Sequence, residues 1–220
     1  MAAVNERDIK RSQAIYTKPF LAAYDLLVLG YNCRFVWKCP ASLILDLYNK
    51  HVSANHLDIG VGSGYFLDHC TFPVTTPRIA LMDLNQNSLD KTKERIKRYN
   101  PEVYRVNVLE LDGVEIQKFD SIGITNLLHC LPGTMQTKGV VFKGIKNLLN
   151  PGGVIFGSTI LYKGVKNSLQ AKYSMMVGNL QGAFCNKQDD LNGLKQNLEQ
   201  HFSESSVKTV GSMALFWAKK

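Results

Sequence analysis

The sequence has no apolar run of the roughly 20 residues that a membrane-spanning helix needs. Residues 1–8 also lack the apolar core of a secretory signal peptide. Low-complexity segments and internal repeats are absent, which argues against repeat proteins and long disordered linkers. From these absences we expect a soluble, cytoplasmic protein that has no membrane partner.

Cysteine is too sparse and too scattered for a disulfide framework. The chain has five cysteines, an odd number, and no Cys-x-x-Cys pair. This pattern favours neither a set of disulfides nor a zinc site, so we expect reduced thiols with structural roles and no bound metal. The five are Cys33, Cys39, Cys70, Cys130 and Cys185.

Charge is unbalanced but dispersed. The 26 lysines and arginines exceed the 18 acids, which gives a net charge of +8 that could attract nucleic acid or acidic substrates. The densest basic run, 91–98, places Leu89, Thr92 and Ile96 at inward helical spacing, so we interpret it as the solvated face of an amphipathic helix. At 220 residues and 45% hydrophobic content, one globular domain is expected.

The most informative stretch is glycine-rich and runs over residues 56–66. Leu57 and Ile59 have the pattern of a buried strand, and Gly60, Gly62 and Gly64 follow in quick succession. Glycine lets the backbone bend sharply and approach a ligand where a Cβ would collide. The next residues should begin a helix whose unpaired amides point at that ligand.

Two acids accompany the glycines. Asp58 lies within the strand, and Asp83 ends the next apolar run, 19 residues after Gly64. An acid about 20 residues past such a turn hydrogen-bonds the ribose of a bound nucleotide in open parallel sheets. The two motifs together therefore predict a site for a nucleoside-containing cofactor.

The order Leu57-Asp58-Ile59-Gly60-Val61-Gly62-Ser63-Gly64 resembles motif I of the class I S-adenosylmethionine-dependent methyltransferases. Dinucleotide enzymes usually carry Gly-x-Gly-x-x-Gly instead, and a pyrophosphate would be repelled by the carboxylate of Asp58. The resemblance implies S-adenosylmethionine as cofactor, S-adenosylhomocysteine as product and no metal.

The resemblance also implies roles for individual residues. The glycine amides would bind the methionyl end of the cofactor, Asp83 would bind both ribose hydroxyls, and Leu84 with Val108 would enclose the adenine. The predicted cofactor-binding residues are Asp58, Gly60, Gly62, Gly64, Asp83, Leu84, Asn107, Val108 and Asn126.

Strand and helix patterns alternate along residues 50–220. The step Leu149-Asn150-Pro151-Gly152-Gly153 is a recurrent mark of the same methyltransferases. We expect one α/β domain: a Rossmann-like, doubly wound sheet of seven strands, mainly parallel, with a reversed last strand. Predicted strands after Asp83 span 103–108, 119–126, 154–161, 207–210 and 213–218, and predicted helices span 40–51, 86–100, 137–149, 167–177 and 189–202.

Residues 1–50 precede the first predicted strand and are expected to form a helical lid over the core, 51–220. A helical pattern from Ile9 to Leu29 should stop at Gly30. In the methyltransferases that this sequence resembles, such an N-terminal segment covers the cofactor and the substrate. Tyr16, Tyr24 and Trp37 are the candidate contacts to these ligands. The alternative is that these aromatic side chains only fix the prefix to the core.

The end of the fourth predicted strand indicates the class of methyl acceptor. Members that modify nucleobase amines carry Asn/Asp-Pro-Pro-Tyr/Phe there, whereas this chain has Asn126-Leu127-Leu128-His129. An imidazole that titrates near neutrality suits removal of a proton from a hydroxyl or an acidic carbon, so His129 is the candidate catalytic base. A buried, merely structural histidine is the alternative.

We therefore predict a methyltransferase that acts on a small molecule, through an oxygen or carbon nucleophile, as a tailoring enzyme of secondary metabolism. An RNA methyltransferase is favoured by the charge but disfavoured by the lack of a clustered basic patch. A protein that binds the cofactor without transferring methyl is a third candidate, since fold alone does not assign function. The oligomeric state stays open.

Overall fold

A computed structural model of the protein describes residues 6–220. The strands are β1 (Asn55–Ile59), β2 (Arg78–Asp83), β3 (Glu102–Arg105), β4 (Phe119–Thr125), β5 (Leu149–Ile160), β6 (Glu204–Val210) and β7 (Met213–Lys219). They form one seven-stranded sheet in the order β3-β2-β1-β4-β5-β7-β6. Only β7 runs antiparallel to its neighbours, so the predicted sheet with a reversed last strand is confirmed.

Helices cover both faces of the sheet. They are α1 (Glu6–Gln13), α2 (Lys18–Tyr24), a π-helix (Asp25–Val36), α3 (Ala41–His51), α4 (Tyr65–His69), α5 (Gln86–Arg95), α6 (Gly139–Leu148), α7 (Leu169–Gln181) and α8 (Leu191–His201). Helices α6 and α8 contribute to one hydrophobic cluster, and α3, α5, α7 and the π-helix contribute to the other. Along β2, Ala80 and Met82 enter the first cluster while Ile79 and Leu81 enter the second. Within residues 6–220, no helix combines the length and apolarity needed to span a bilayer.

The N-terminal prefix departs from the single predicted helix over 9–29. Thr17 interrupts it, because its side chain accepts a hydrogen bond from the Phe20 amide at 3.4 Å and Pro19 lies in the first turn of α2. Gly30 does not end the helix as predicted. The chain widens into the π-helix, whose end is closed by the Trp37 amide bonding to the Asn32 carbonyl five residues earlier, at 2.8 Å.

Helix α7 is longer than predicted and continues through Gly178. A Cβ at this position would lie 2.6 Å from Cδ2 of Phe184, so glycine allows close packing here and does not break the helix. Ser168 begins the helix by accepting a hydrogen bond from the Ala171 amide at 3.1 Å. Gly182, with φ of 79°, ends it.

Strand β3 is shorter than the predicted span 103–108. The Asn107 side chain accepts a hydrogen bond from the Leu109 amide at 3.1 Å and begins a short 3₁₀ helix, Val108–Glu110, which withdraws the chain from the sheet. Strand β5 begins earlier than predicted, because Leu149 already pairs with Phe119. The register then shifts where residues 150–153 bulge out.

The prefix is attached to the core by packing and by an ion pair. Leu29, Val36 and Trp37 are all buried in the cluster shared with α3 and α5. Asp25, at the start of the π-helix, pairs with Arg95 at 2.6 Å. Arg95 belongs to the run that was interpreted as solvated, but its side chain is only 19% exposed, so that interpretation is wrong for this residue.

Truncations should separate the two parts of the prefix. Deletion of residues 1–16 removes α1, four hydrogen bonds to the rest of the chain and the partly buried Ile9 and Tyr16, and should lower the free energy of unfolding by about 3–5 kcal/mol. Deletion of residues 1–40 also removes seven buried side chains, among them Leu29, Val36 and Trp37. A large apolar side chain is worth about 1.5–3 kcal/mol when buried, so this loss is comparable with the whole of the roughly 5–15 kcal/mol that stabilises a domain. Urea denaturation of soluble protein measures both. A cooperatively folded 41–220 fragment of full stability would contradict this packing.

Candidate active site

The site lies where the strand order reverses. Strands β1 and β4 are parallel neighbours, yet the sheet grows outward from β1 through β2 and from β4 through β5. In such sheets ligands bind in the crevice at the carboxyl ends of the strands. Three adjoining cavities occupy this edge. One is large, with a volume of about 380 Å³, and two are small, with volumes of about 30 Å³ each. We call the two small cavities together the groove.

The glycine turn follows β1 as predicted. Gly60, Gly62 and Gly64 have φ of 75°, 54° and 75°, a region that other residues rarely adopt. A Cβ at Gly60 would lie 2.8 Å from Leu127, and one at Gly64 would lie 2.8 Å from Thr92. Only Gly60 and Gly62 line the groove, so the absence of a side chain at Gly64 serves close packing instead.

Asp83 lies at the carboxyl end of β2 and lines both small cavities. Burial raises the pKa of its carboxyl to about 6, although amide donors oppose the shift. The Asn85 amide donates at 2.8 Å, and the amides of Val61 and Gly62 in the glycine turn donate as well. The carboxylate is therefore held against the turn.

The predicted adenine contacts also reach the groove. Leu84, Asn107 and Val108 line the small cavity farther from the glycine turn. Asn126 lines the other small cavity and the large one, and its φ of 54° is unusual for a residue other than glycine. Its side-chain oxygen accepts a hydrogen bond from the Ser158 hydroxyl at 3.0 Å, which fixes it at the junction.

Asp58 is the predicted cofactor ligand that the structure leaves outside the three cavities. Its buried carboxylate accepts a 2.7 Å hydrogen bond from the Tyr48 hydroxyl, and burial raises its pKa to about 7. His56 lies beside it, with its pKa lowered to about 3 by burial. These contacts join β1 to α3, and direct cofactor binding by Asp58 stays an untested prediction.

The three aromatic candidates of the prefix all line the large cavity. Tyr16 and Tyr24 flank Phe20, whose ring meets each of theirs edge-on at 6.0 and 5.8 Å between centroids. Trp37 is buried at the end of the π-helix, 5.9 Å from the Phe184 ring. Burial, together with the nearby Cys130 for Tyr16, raises the pKa of both tyrosines and keeps them neutral.

His129 lines the large cavity within a 3₁₀ helix, Leu128–Cys130. The Ile160 amide donates to its Nδ1 at 3.3 Å, so in the neutral ring Nε2 carries the proton. Burial, with a smaller contribution from the charge of Lys138, lowers its pKa to about 3. The neutral, donating form suits orientation of an acceptor atom, and the general-base role stays an untested prediction.

A buried ion pair supports the far wall of the large cavity. Lys138 bonds both carboxylate oxygens of Asp189, at 2.8 and 2.6 Å, and also the Cys185 carbonyl at 3.1 Å. The Cys185 amide in turn donates to the His129 carbonyl at 2.8 Å. These contacts fix the segment that carries Phe184 against the 3₁₀ helix.

Comparison with known proteins identifies the family. Residues 57–155 match the family model of the methyltransferase domain. The demethylluteothin O-methyltransferase of Streptomyces thioluteus is 39% identical over 213 residues, which are 97% of this chain and 93% of that protein. The chain belongs to the class I S-adenosylmethionine-dependent methyltransferases.

Two further proteins are similar to this methyltransferase. The physcion biosynthesis cluster O-methyltransferase of Aspergillus chevalieri is 36% identical over 213 residues, 96% of either chain. DhpI, solved as a complex with SAH, aligns with a TM-score of 0.68 at 15% identity and 98% coverage of both chains. At 15% identity, the similarity to DhpI shows a shared fold only.

The groove of this methyltransferase fits the family's cofactor. The three glycines of the turn have positive φ, and the nearest atoms to a Cβ at Gly62 would be those of the Tyr24 ring, at 3.8 Å. Asp83 offers a carboxylate for ribose hydroxyls, and the buried Oε1 of Gln13 has no hydrogen-bond partner among the described residues. Sites for such ligands measure roughly 300–1,000 Å³, so the small cavities must widen as the cofactor enters.

Several lining residues were missed by the sequence patterns. Gln13 of α1 lines the groove, while Tyr173, Ser174 and Val177 of α7 line the large cavity. Helical periodicity placed both helices, but nothing in that signal indicates which neighbouring element a side chain will face. Within residues 6–220 no three metal-ligating side chains are grouped.

Asp83→Asn should weaken binding of S-adenosylhomocysteine by about 10- to 100-fold, because hydrogen bonds to a charged group contribute roughly 1.5–3 kcal/mol. Isothermal titration calorimetry of the folded variant provides the dissociation constant. Asp112→Asn is the matched control, since Asp112 lies on the surface in an exposed pair with Lys143 at 3.7 Å. Equal affinities for Asp83→Asn and the wild type would remove Asp83 from the cofactor site.

The same titration should depend on pH. The pKa of Asp83 is raised to about 6, so the carboxylate is ionised above that value and protonated below it. Affinity should be constant above about pH 7 and fall as the pH decreases through 6, by up to about tenfold per unit. Asp83→Asn should abolish this dependence, and a wild-type affinity that is level from pH 7 to 5 would contradict the assignment.

Proposed function

We propose that this methyltransferase transfers methyl from S-adenosylmethionine to an oxygen of an uncharged, largely apolar small molecule. The observation that carries the proposal is the junction of the two spaces. Tyr16, Tyr24, Asn126 and Cys130 line both the groove and the large cavity. A cofactor bound along Asp83 can therefore present its methyl group to an acceptor in the large cavity.

The chemistry of the large cavity supports a neutral acceptor. No lysine, arginine, aspartate or glutamate is among its lining residues, and six of those residues are phenylalanine, tyrosine or tryptophan. Cys33 and Cys130 are held as thiols, since burial raises the pKa of each to about 12. A volume of about 380 Å³ lies within the range of small-molecule sites.

When bound, the cofactor supplies an electrophilic methyl, whose carbon–sulfur bond breaks as the oxygen–carbon bond forms and the electron pair returns to sulfur. The chain's own contribution is positioning and exclusion of water. Tyr16 and Tyr24 cover the junction from the prefix, and Asn126 borders it from β4. In the proposal, Nε2–H of His129 donates a hydrogen bond to the acceptor oxygen, whose proton leaves to solvent.

Product analysis tests the proposed function. The enzyme is incubated with methyl-labelled cofactor and a panel of uncharged, hydroxylated aromatic compounds, each paired with its own O-methyl ether. The two relatives named as O-methyltransferases support this choice of panel. Mass spectrometry should find one added methyl on a hydroxyl compound, equimolar S-adenosylhomocysteine and an inert ether. Methylation of nitrogen or carbon alone, or formation of S-adenosylhomocysteine without a methylated acceptor, would contradict the proposal.

His129→Leu should lower kcat/KM by about 10-fold through loss of the donor, while cofactor affinity stays unchanged. His129→Gln is the matched variant, because its amide nitrogen can still donate and should restore part of the rate. Since the pKa of His129 is lowered to about 3, the wild-type rate should show no acid limb near pH 6–7. An acid limb there that disappears in His129→Leu would establish the general-base role instead.

The salt dependence of the rate distinguishes small-molecule methylation from RNA methylation, the alternative that the net charge of +8 favours. For a neutral acceptor, kcat/KM should change by less than about twofold between 50 and 200 mM salt. An RNA substrate held by 6–10 phosphate contacts would lose roughly 10³–10⁵ in affinity over that range. Steep salt dependence, together with methylated RNA product, would overturn the small-molecule assignment.

A further inference from the structure

Gln13 carries a polar atom that the fold leaves without a partner. Its Oε1 is buried, and among residues 6–220 it receives no hydrogen bond. Buried side-chain acceptors almost always have a partner, so an orphaned one needs an explanation. The residue lines both small cavities of the groove, which places the amide at the cofactor site.

The position of Gln13 is fixed by the loop that follows β2. The Asn85 side-chain amide donates to the Gln13 carbonyl at 3.1 Å, and the Asn87 side-chain amide donates to the Tyr16 carbonyl at 3.1 Å. The backbone amide of Asn85 also donates to the Asp83 carboxylate at 2.8 Å. Asn85 therefore contacts both Gln13 and Asp83, which line the same two small cavities.

The lining of the groove indicates which part of a cofactor Gln13 meets. Leu84 and Val108 line one small cavity, and Gly62 and Asn126 line the other. Gln13 and Asp83 belong to both cavities. In the proposed binding mode the ribose lies between the adenine side and the methionyl side, at this shared position.

We propose that Gln13 is a cofactor-binding residue whose Oε1 accepts a hydrogen bond from a ribose hydroxyl, at the position where the carboxylate of Asp83 also lines the groove. The inference rests on the proposed use of S-adenosylmethionine. Because Gln13 ends α1, the contact also couples cofactor binding to the seating of that helix. The bound ribose supplies the donor that residues 6–220 do not provide.

Calorimetry with a ribose-edited ligand tests the contact. Gln13→Met keeps the length of the side chain but removes its amide, and should weaken binding of S-adenosylhomocysteine by about 3- to 10-fold. The 2′-deoxy or the 3′-deoxy analogue should bind the wild type more weakly, and for one of them Gln13→Met should cause no further loss. Gln117→Met, at an exposed position, is the matched control and should bind as the wild type does.

Two readouts distinguish this role from structural packing. Without ligand, Gln13→Met should unfold at the same temperature as the wild type or higher, because an apolar group replaces an unpaired acceptor. With S-adenosylhomocysteine, amide hydrogen exchange over residues 9–16 should slow in the wild type and slow less in Gln13→Met. A variant destabilised in the absence of ligand, with unchanged ligand protection, would assign Gln13 to packing.

Two outcomes overturn the inference. One is an unchanged dissociation constant for Gln13→Met. The other is a loss that is the same for S-adenosylhomocysteine and for both deoxy analogues, since the amide would then contact no hydroxyl. Failure of the wild type to bind S-adenosylhomocysteine at all is a separate result, which would contradict the proposed function before Gln13 is considered.

Discussion

The attachment of the N-terminal segment to the sheet edge is the constraint on which the site depends. Asn85 and Asn87 bond the chain between α1 and α2, and Arg95 pairs with Asp25 at the start of the π-helix. Asn85 and Asn87 lie at the start of α5, close after Asp83, and Arg95 lies at its end. The same region thus carries Asp83, the acid proposed to bind the ribose, and holds the N-terminal cover, so we expect cofactor binding and the position of the cover to be linked.

That cover also determines the chemistry of the large cavity. Its aromatic residues provide apolar, uncharged surface to the cavity. Burial raises the pKa of Tyr24 and of Cys33, so both side chains stay protonated. Methyl transfer needs little more from a protein than alignment of acceptor and methyl in the absence of water. A neutral cavity that joins the groove at Tyr16 and Asn126 meets both needs. The net positive charge contributes nothing to the lining of this space.

Local patterns predicted the sheet and the position of the glycine turn, because glycine conformation and strand burial depend on near neighbours. The same holds for Asp83, whose place at a strand end follows from spacing. Prediction failed where distant residues decide. Gly178 was predicted to lie beyond the helix, but it accommodates Phe184 within α7. The bond from Tyr48 to Asp58 also had no local signal, and cofactor binding by Asp58 stays a prediction. Gln13 has no local signal, since its place in the groove follows from how α1 packs on the core.

The central claim is that the groove and the large cavity form one reaction site. A crystal structure with bound S-adenosylhomocysteine tests it most directly. The account predicts ribose hydroxyls within hydrogen-bond distance of Asp83, and a sulfur atom that faces the large cavity between Tyr16 and Asn126. A homocysteine sulfur directed away from that cavity, or a ligand bound elsewhere on the chain, would contradict it.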